Sequence, residues 1–370
     1  MANETSRWFM KNIILPNNEI IDKPGYVISR YAGKGTRCFV REVFFPELVI
    51  SEIERRVIKR YGDRGRKAVY SAGKSWGVRY GITTGLPKKS SMPKKDFGEF
   101  MDTFMKFMES EYATRVTYTL DYEKDRFVSE YENLMVCRIN GCGQFLTGTM
   151  DGAWEYMAGR KTEGLHARCQ GRGDKCCRIE CARPGSHRDK GKVFKANVPA
   201  DLGLEKEYFT LNSVRKAQYA KNSFADLLEG RIFSYKGGFF ECNGDRFLLN
   251  EASSVYFLET ELGKLKGGEE ILFKAAFDYF KAFGLKNASS ALVRDMLPAL
   301  GWGDIISETS AKKAFVRGYP WTKYAKKTTF PILRGMLSGL VSSYAGKDVI
   351  FSNVSQHTSS GSLDLVLVAD

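Results

Sequence analysis

The stretch HARCQGRGDKCCRIEC, residues 166–181, holds four of the eight cysteines and one of the three histidines of a 370-residue chain. Thiolates and imidazoles supplied in close pairs around a turn are the donor set that zinc prefers. His166 and Cys169 stand at the end of an expected strand, Gly171-Arg172-Gly173-Asp174 has the composition of a turn, and Cys176 and Cys177 open a returning strand. In such a hairpin Cys169 faces one of the returning cysteines. Alternation along the second strand puts Cys177, Ile179 and Cys181 on one face and Cys176, Arg178 and Glu180 on the other. The isoleucine marks the first face as the core side. That choice makes Cys177 a ligand, buries Cys181 further along and turns Cys176 outward. A fourth ligand has to come from elsewhere, and Cys142 is the best placed. The competing readings are inert core cysteines and reactive thiols, the latter requiring exposure and a lowered pKa.

Cys142 lies just before FLTGTMDGAWEYMAGRKTEGL (145–165), which resembles ILRGMLSGLVSSYAGKDVIFS (332–352) without a gap. Gly148, Gly152 and Gly159 correspond to Gly335, Gly339 and Gly346, each pair 187 positions apart (335 minus 148, 339 minus 152, 346 minus 159). Glycines four apart on a helix let another backbone approach closely, and the following Ala-Gly-Arg or Ala-Gly-Lys suits a helix C-terminus. Upstream, FVSEYENLMVCRI (127–139) parallels FVRGYPWTKYAKK (315–327) after a one-residue adjustment, GTRCFVRE (35–42) parallels GDRFLLNE (244–251), and AVYSAGKSWG (68–77) parallels AAFDYFKAFG (275–284). The chain therefore reads as one domain duplicated. Each copy runs strand pair, helix, variable middle, strand, glycine-paired helix and two closing strands. The offset carries the four candidate ligands to Thr329, Asn353, Gln356 and Asp364, so the second copy is expected to be metal-free.

Composition sets broad limits. A chain with 43% hydrophobic residues can bury a sizeable core, and no apolar run approaches the roughly twenty residues of a membrane span. The N-terminus lacks the apolar core of a signal peptide, which leads to the expectation of a soluble, cytoplasmic protein. The net charge of +14 permits attraction to nucleic acid or an anionic ligand. Basic residues come as scattered pairs, however, with no helix-turn-helix or zinc-finger spacing. Walker loop, GxGxxG, GxSxG and HExxH are all missing, which shifts weight from enzyme to binding module.

Gly148-x-x-x-Gly152, then Ala158-Gly159-Arg160, then Cys169, Gly173-Asp174 and Cys177 together resemble the signature of the 4-vinyl reductase domain. Such domains form the sensory part of aromatic-responsive transcription activators and share the fold of the Bet3 subunits of the TRAPP tethering complex. The resemblance implies an α+β fold, two tandem Bet3-like copies of an antiparallel sheet with packed helices, arranged as a pseudo-dimer. It implies an N-terminal extension over 1–24, a zinc-containing domain over 25–183, a linker over 184–212 and a metal-free domain over 213–370. In the sensor branch zinc is held by a cysteine before the glycine helix, a carboxylate, and two cysteines eight residues apart. These carry over to Cys142, after a one-residue insertion, to His166 in place of the carboxylate, and to Cys169 and Cys177. Four protein ligands close the coordination sphere, so the zinc is expected to be structural.

The function that follows is a sensor or carrier for a small hydrophobic or aromatic ligand. Neither an ATPase nor a DNA-binding module is apparent, so any signal is expected to pass to a protein partner, and a homodimer is open. The alternatives are an interaction scaffold of the TRAPP type, a reductase-associated enzyme, or a nucleic-acid-associated regulator.

Other residues carry weaker signals. Phe97, Phe100, Met101, Phe104 and Met108 fall at helical spacing and form a core face or a cavity wall. SVRKAQYAKNSFADLLEG (213–230) reads as an amphipathic helix ending at Gly230. Trp154, Trp302, Trp321 and the aromatics of 318–327 could line a pocket or fill a core. His187 reads as a solvated loop histidine able to replace His166 only if the linker folds back, and His357 as a turn residue. Arg37 and Arg246, each after a glycine turn, could bind an anion or cap a sheet edge.

Overall fold

The computed structural model of the chain describes residues 20–33, 36–141, 143–187, 193–196, 198–199, 202, 214–236, 238–286, 296–308, 312–320, 328–359 and 362–370. The protein mixes helices with three antiparallel sheets. In the N-terminal half the order is β1 (Ile20–Lys23), β2 (Tyr26–Gly33), β3 (Thr36–Pro46), α1 (Glu47–Tyr61), α2 (Asp63–Thr83), α3 (Lys94–Tyr112), β4 (Arg115–Asp121), β5 (Arg126–Glu132), α4 (Cys137–Asn140), α5 (Gln144–Ala158), β6 (Glu163–Arg168) and β7 (Cys177–Ala182). The C-terminal half follows with α6 (Phe224–Glu229), β8 (Ser234–Lys236), β9 (Phe239–Cys242), β10 (Asp245–Glu251), α7 (Ser253–Gly263), α8 (Gly268–Lys286), β11 (Asp304–Glu308), β12 (Lys313–Tyr319), α9 (Pro331–Ala345), β13 (Phe351–Ser359) and β14 (Ser362–Ala369). Among the described residues no helix is long and apolar enough to cross a membrane.

Each half contributes a four-stranded sheet, and their orders correspond, β4-β5-β7-β6 and β11-β12-β14-β13. The third sheet is shared, β1-β2-β3-β10-β9-β8, so three strands of one half meet three of the other. At that seam Glu42 pairs with Glu251. The seam is reinforced by Arg79 of α2, whose guanidinium meets the Glu251 carboxylate at 2.8 Å with both side chains buried. Arg41 likewise donates to the carbonyls of Gly25, Gly301 and Gly318, at 3.1, 3.0 and 2.9 Å.

The glycine helices α5 and α9 are both 15 residues long and lie 187 positions apart at each end (331 minus 144, 345 minus 158). A Cβ on Gly148 would sit 2.1 Å from the Tyr70 carbonyl oxygen and one on Gly152 2.2 Å from that of Lys74, so α5 lies directly on the backbone of α2. Gly335 and Gly339 hold α9 on α8 in the same way, against Phe273 and Phe277. These contacts place Tyr70 opposite Phe273, an offset of 203 (273 minus 70), where the sequence comparison had aligned that helix at 207. The two offsets differ by one helical turn, a shift that a 3.6-residue period leaves nearly unmarked in sequence. The left-handed residues ahead of β5 and β12, Asp125 (φ 50°) and Lys312 (φ 49°), are 187 apart (312 minus 125) and remove the one-residue adjustment.

Two further expectations change. Three strands and an additional helix, α1, precede α2, where the sequence suggested a strand pair and one helix. The expected helix over 213–230 is confined to Phe224–Glu229, because Ser223 and Asp226 form a reciprocal capping box that starts it late. Ahead of it the amides of Gln218, Tyr219 and Ala220 all donate to Asp304, which holds that segment out of helix. Position 213 itself lies outside the described residues.

Candidate functional site

The β6–β7 hairpin closes on the N-terminus of α5, and there four side chains converge. The ligand atoms of Cys137, His166, Cys169 and Cys177 all lie within 4.8 Å of one another, and all four residues are buried. It is the single group of this kind among the described residues. Three of the expected positions are brought together, while Cys142 lies outside the described residues. The fourth donor in the cluster is Cys137, which spacing had not singled out.

Cys137 reaches the cluster through an unusual turn. Val136 precedes it at φ 69°, a left-handed conformation rare for a β-branched residue. The buried carboxylate of Glu47 holds that turn, accepting from the Val136 amide at 2.7 Å and from Arg138 at 2.6 Å. Gly143, at φ 140°, roofs the site, since a Cβ there would lie 2.2 Å from Cys137 Sγ and 3.1 Å from His166 Cε1. On the hairpin side a short 3-10 turn, Gln170–Arg172, links the strands. Asp174 fixes its base by accepting from the Cys169 amide at 2.7 Å. The Gln170 amide points at Cys177 Sγ at 3.4 Å; the Cys137 thiol and this amide oppose the effect of Cys169 and of burial, which push the Cys177 thiol up to about 12. β7 keeps the expected parity, with Cys177, Ile179 and Cys181 buried and Cys176 partly exposed.

The electrostatics are those of one thiolate shared among three sulfurs. Hydrogen bonds from the Cys137 and Cys177 thiols, helped by His166, hold Cys169 far below the usual thiol range against the effect of burial. Burial, together with Cys169 and Cys177, pushes Cys137 well above it. His166 Nε2 is 4.0 Å from Cys137 Sγ, and its Nδ1 is buried without a hydrogen-bond partner. Three sulfurs and an imidazole nitrogen in so small a space, with an orphaned ring nitrogen, fit a tetrahedral metal ion of the zinc class.

A second feature lies on the opposite side of α5. An apolar pocket between α2, α3 and α5 is lined by Trp76, Tyr80, Phe104, Phe107, Met108 and Met150 and encloses about 30 Å³. Trp76 is 3% exposed and its indole N–H is buried with no acceptor. The Phe and Met stripe of α3 thus serves both expected purposes, with Phe97 and Met101 in the core and Phe104 and Met108 on the pocket wall.

The remaining candidates are structural. Trp154 and Trp302 are fully buried core residues, and Trp321 lies outside the described residues. His187 is buried rather than solvated, with Nε2 2.8 Å from the Glu163 carbonyl, so it anchors the chain after β7, and it is not among the clustered donors. His357 is an exposed strand residue opposite Asp364. Arg246 pairs with Glu241 at 3.3 Å and lies over the Phe239 ring at 4.0 Å, a cross-strand role; the Arg37 side chain lies outside the described residues.

No family model and no curated protein matches the chain. Among solved structures it is similar to the crystal structure of the phenol-responsive sensory domain of the transcription activator PoxR with phenol. The likeness covers 40% of this chain and 80% of that one, at 17% identity and a TM-score of 0.30.

Proposed function

We propose that this chain is a tandem pair of Bet3-like, 4-vinyl-reductase-type domains, 25–183 and 213–370, that binds a small hydrophobic or aromatic molecule as a sensor or carrier. Support for the duplication comes from the corresponding strand orders of the two four-stranded sheets and the equal lengths of α5 and α9. The shared six-stranded sheet makes the pair a pseudo-dimer in one chain.

The observation that carries the binding function is the apolar pocket lined by Trp76, whose buried indole N–H has no acceptor. A buried donor without an acceptor costs about 1–3 kcal/mol, and a ligand hydroxyl or carbonyl would recover it. The enclosed space is roughly that of one water molecule, so a six-membered ring enters only when a wall residue moves. Phe107, 39% exposed, has room to swing outward.

Cys137, His166, Cys169 and Cys177 would hold a zinc-class ion in a closed, four-ligand site. Its role is structural, pinning the β6–β7 hairpin to the start of α5, whose other face forms the pocket. The test is thermal melting of the full chain against a panel of phenols and other hydroxylated or carbonyl-bearing aromatics. At least one should raise the melting temperature, and Trp76→Phe should remove the gain, measured against that variant's own unliganded melting temperature. A panel without effect on the wild-type chain would overturn the reading.

A further inference from the structure

Asp125, in the turn between β4 and β5, is fully buried and left-handed, and its carbonyl accepts from the Trp154 indole at 3.0 Å. Its carboxylate gathers three cations. Lys89 Nζ meets Oδ1 and also the Tyr122 carbonyl, the latter at 2.8 Å. Arg183 reaches Oδ2 with Nε at 2.8 Å and Nη2 at 2.6 Å, and Arg160 Nη1 lies 3.1 Å from the same oxygen. The shared oxygen caps the separation of the two guanidinium nitrogens at 5.7 Å, the sum of 3.1 and 2.6 Å. Both side chains nevertheless face solvent, at 52% and 46% exposure.

The surrounding carboxylates do not balance this charge. Glu155 is occupied by Lys74 and Lys161, Glu163 accepts from the Gly185 amide, and the Glu123 carboxylate, 82% exposed, reaches only Lys94 at 3.9 Å, while the Glu123 carbonyl accepts from Arg183 Nη2 at 3.0 Å. Among the described residues Arg160 has no polar partner besides Asp125, and Lys88 lies nearby over the Tyr156 ring at 5.6 Å without an ion pair. One buried carboxylate against three cations leaves a surplus of two positive charges. Pre-positioned guanidinium groups with unused N–H donors are the groups that recognise phosphate.

We infer that Arg160 and Arg183, set by Asp125 and supported by Lys89, form a binding site for a phosphate dianion or the terminal phosphate of a small monoester. A phosphate monoester carries about 1.5 to 2 negative charges at neutral pH, matching the surplus. Arg183 Nη2 is occupied by Asp125 and by the Glu123 carbonyl at 3.0 Å, so the groups that would donate to a tetrahedral oxyanion are Arg183 Nη1 and the remaining N–H groups of Arg160. The site belongs to the N-terminal half alone, since Lys312 stands where Asp125 does and points its ammonium at the Asp370 carbonyl.

The test is calorimetric titration of the full chain, at low ionic strength, with inorganic phosphate and separately with glycerol 3-phosphate. Saturable binding of one or both is expected, weakened about tenfold in Arg160→Ala and unchanged in Lys161→Ala. Arg160→Gln serves as a second variant should the alanine substitution lower the melting temperature. Tighter binding of the ester identifies an organophosphate as the ligand, and tighter binding of phosphate identifies the free ion. Absence of saturable binding of both probes, or equal affinities for the wild type and an Arg160 variant that melts like it, would overturn the inference.

Discussion

Glu259 on α7 accepts a hydrogen bond from the Ile332 amide at 3.1 Å, so a buried carboxylate from a preceding helix caps the glycine helix α9. Glu54 on α1 does the same for α5, accepting from the Phe145 amide at 2.9 Å. The two are 205 positions apart (259 minus 54), and neither was visible as a cap because caps are sought within a few residues of the helix they serve. A negative group at this end complements the helix dipole.

Burial pushes the Glu259 carboxyl up to about 7, against the lowering effects of Thr328 and the Ile332 amide. Its folded pKa therefore exceeds the ordinary value of 4.5. The stability it contributes is fully present below about pH 4.5 and is lost as pH rises through 7. Glu259→Gln keeps an acceptor for Ile332 and abolishes that titration. In urea denaturation, stability relative to wild type should improve by about 2–3 kcal/mol between pH 4.5 and pH 8. Parallel pH profiles for the two proteins would contradict this origin.

The glycine contacts make a graded prediction. Gly148→Ala places a methyl 2.1 Å from the Tyr70 oxygen and must separate α5 from α2, whereas Gly159, at φ 70°, has nothing within 4 Å of its would-be Cβ. Gly148→Ala should cost at least about 3 kcal/mol and Gly159→Ala about 1 kcal/mol, measured by chemical denaturation. Equal costs would mean that backbone conformation, not helix approach, is what these glycines supply.

How much of this was legible follows from the range of each signal. The glycine helices were read correctly because a repeated, gap-free pattern fixes both the helix and its close approach. The parity of β7 was read correctly because Ile179 marks the core face. Cys137 is not marked by proximity to α5, since Cys142 is closer in sequence. The available signal was Gly141 and Gly143, both at positive φ, which mark a tight turn beside α5 in which a more distant cysteine can reach the hairpin. Glu47, which holds Cys137 from 90 positions away (137 minus 47), leaves no local trace in sequence. The pocket was anticipated only as a stripe on α3, since its other walls come from α2 and α5.

Lys74 and Asp151 form a buried ion pair at 2.6 Å between α2 and α5. Tyr70 donates to the same carboxylate at 2.5 Å, and the Thr162 hydroxyl to its other oxygen at 2.7 Å. In the C-terminal half Phe277 and Ser338 take these places, so the fold does not require the pair. Lys74→Met should still cost about 3–5 kcal/mol, because it strands a buried carboxylate. Lys74→Met combined with Asp151→Ser should cost much less than the two single changes summed. A double-mutant cycle by denaturant melts tests this, and strict additivity would refute the coupling.

The metal cluster gives the most direct discrimination. The purified chain should carry close to one zinc per molecule by elemental analysis. Cys137→Ala and Cys169→Ala should each lose it, while Cys142→Ala, which leaves intact the four donors clustered among the described residues, should retain it. Because Cys137 and Cys177 must still give up protons to bind the ion, and burial opposes this at Cys137, metal uptake should release protons and weaken as pH falls. Chelation or Cys137→Ala should lower the melting temperature by about 10 °C, the size expected for losing about 3–4 kcal/mol in a domain of this length. Retention of zinc by Cys137→Ala with loss in Cys142→Ala would instead assign the fourth ligand to Cys142 and detach the turn at Val136 from metal binding.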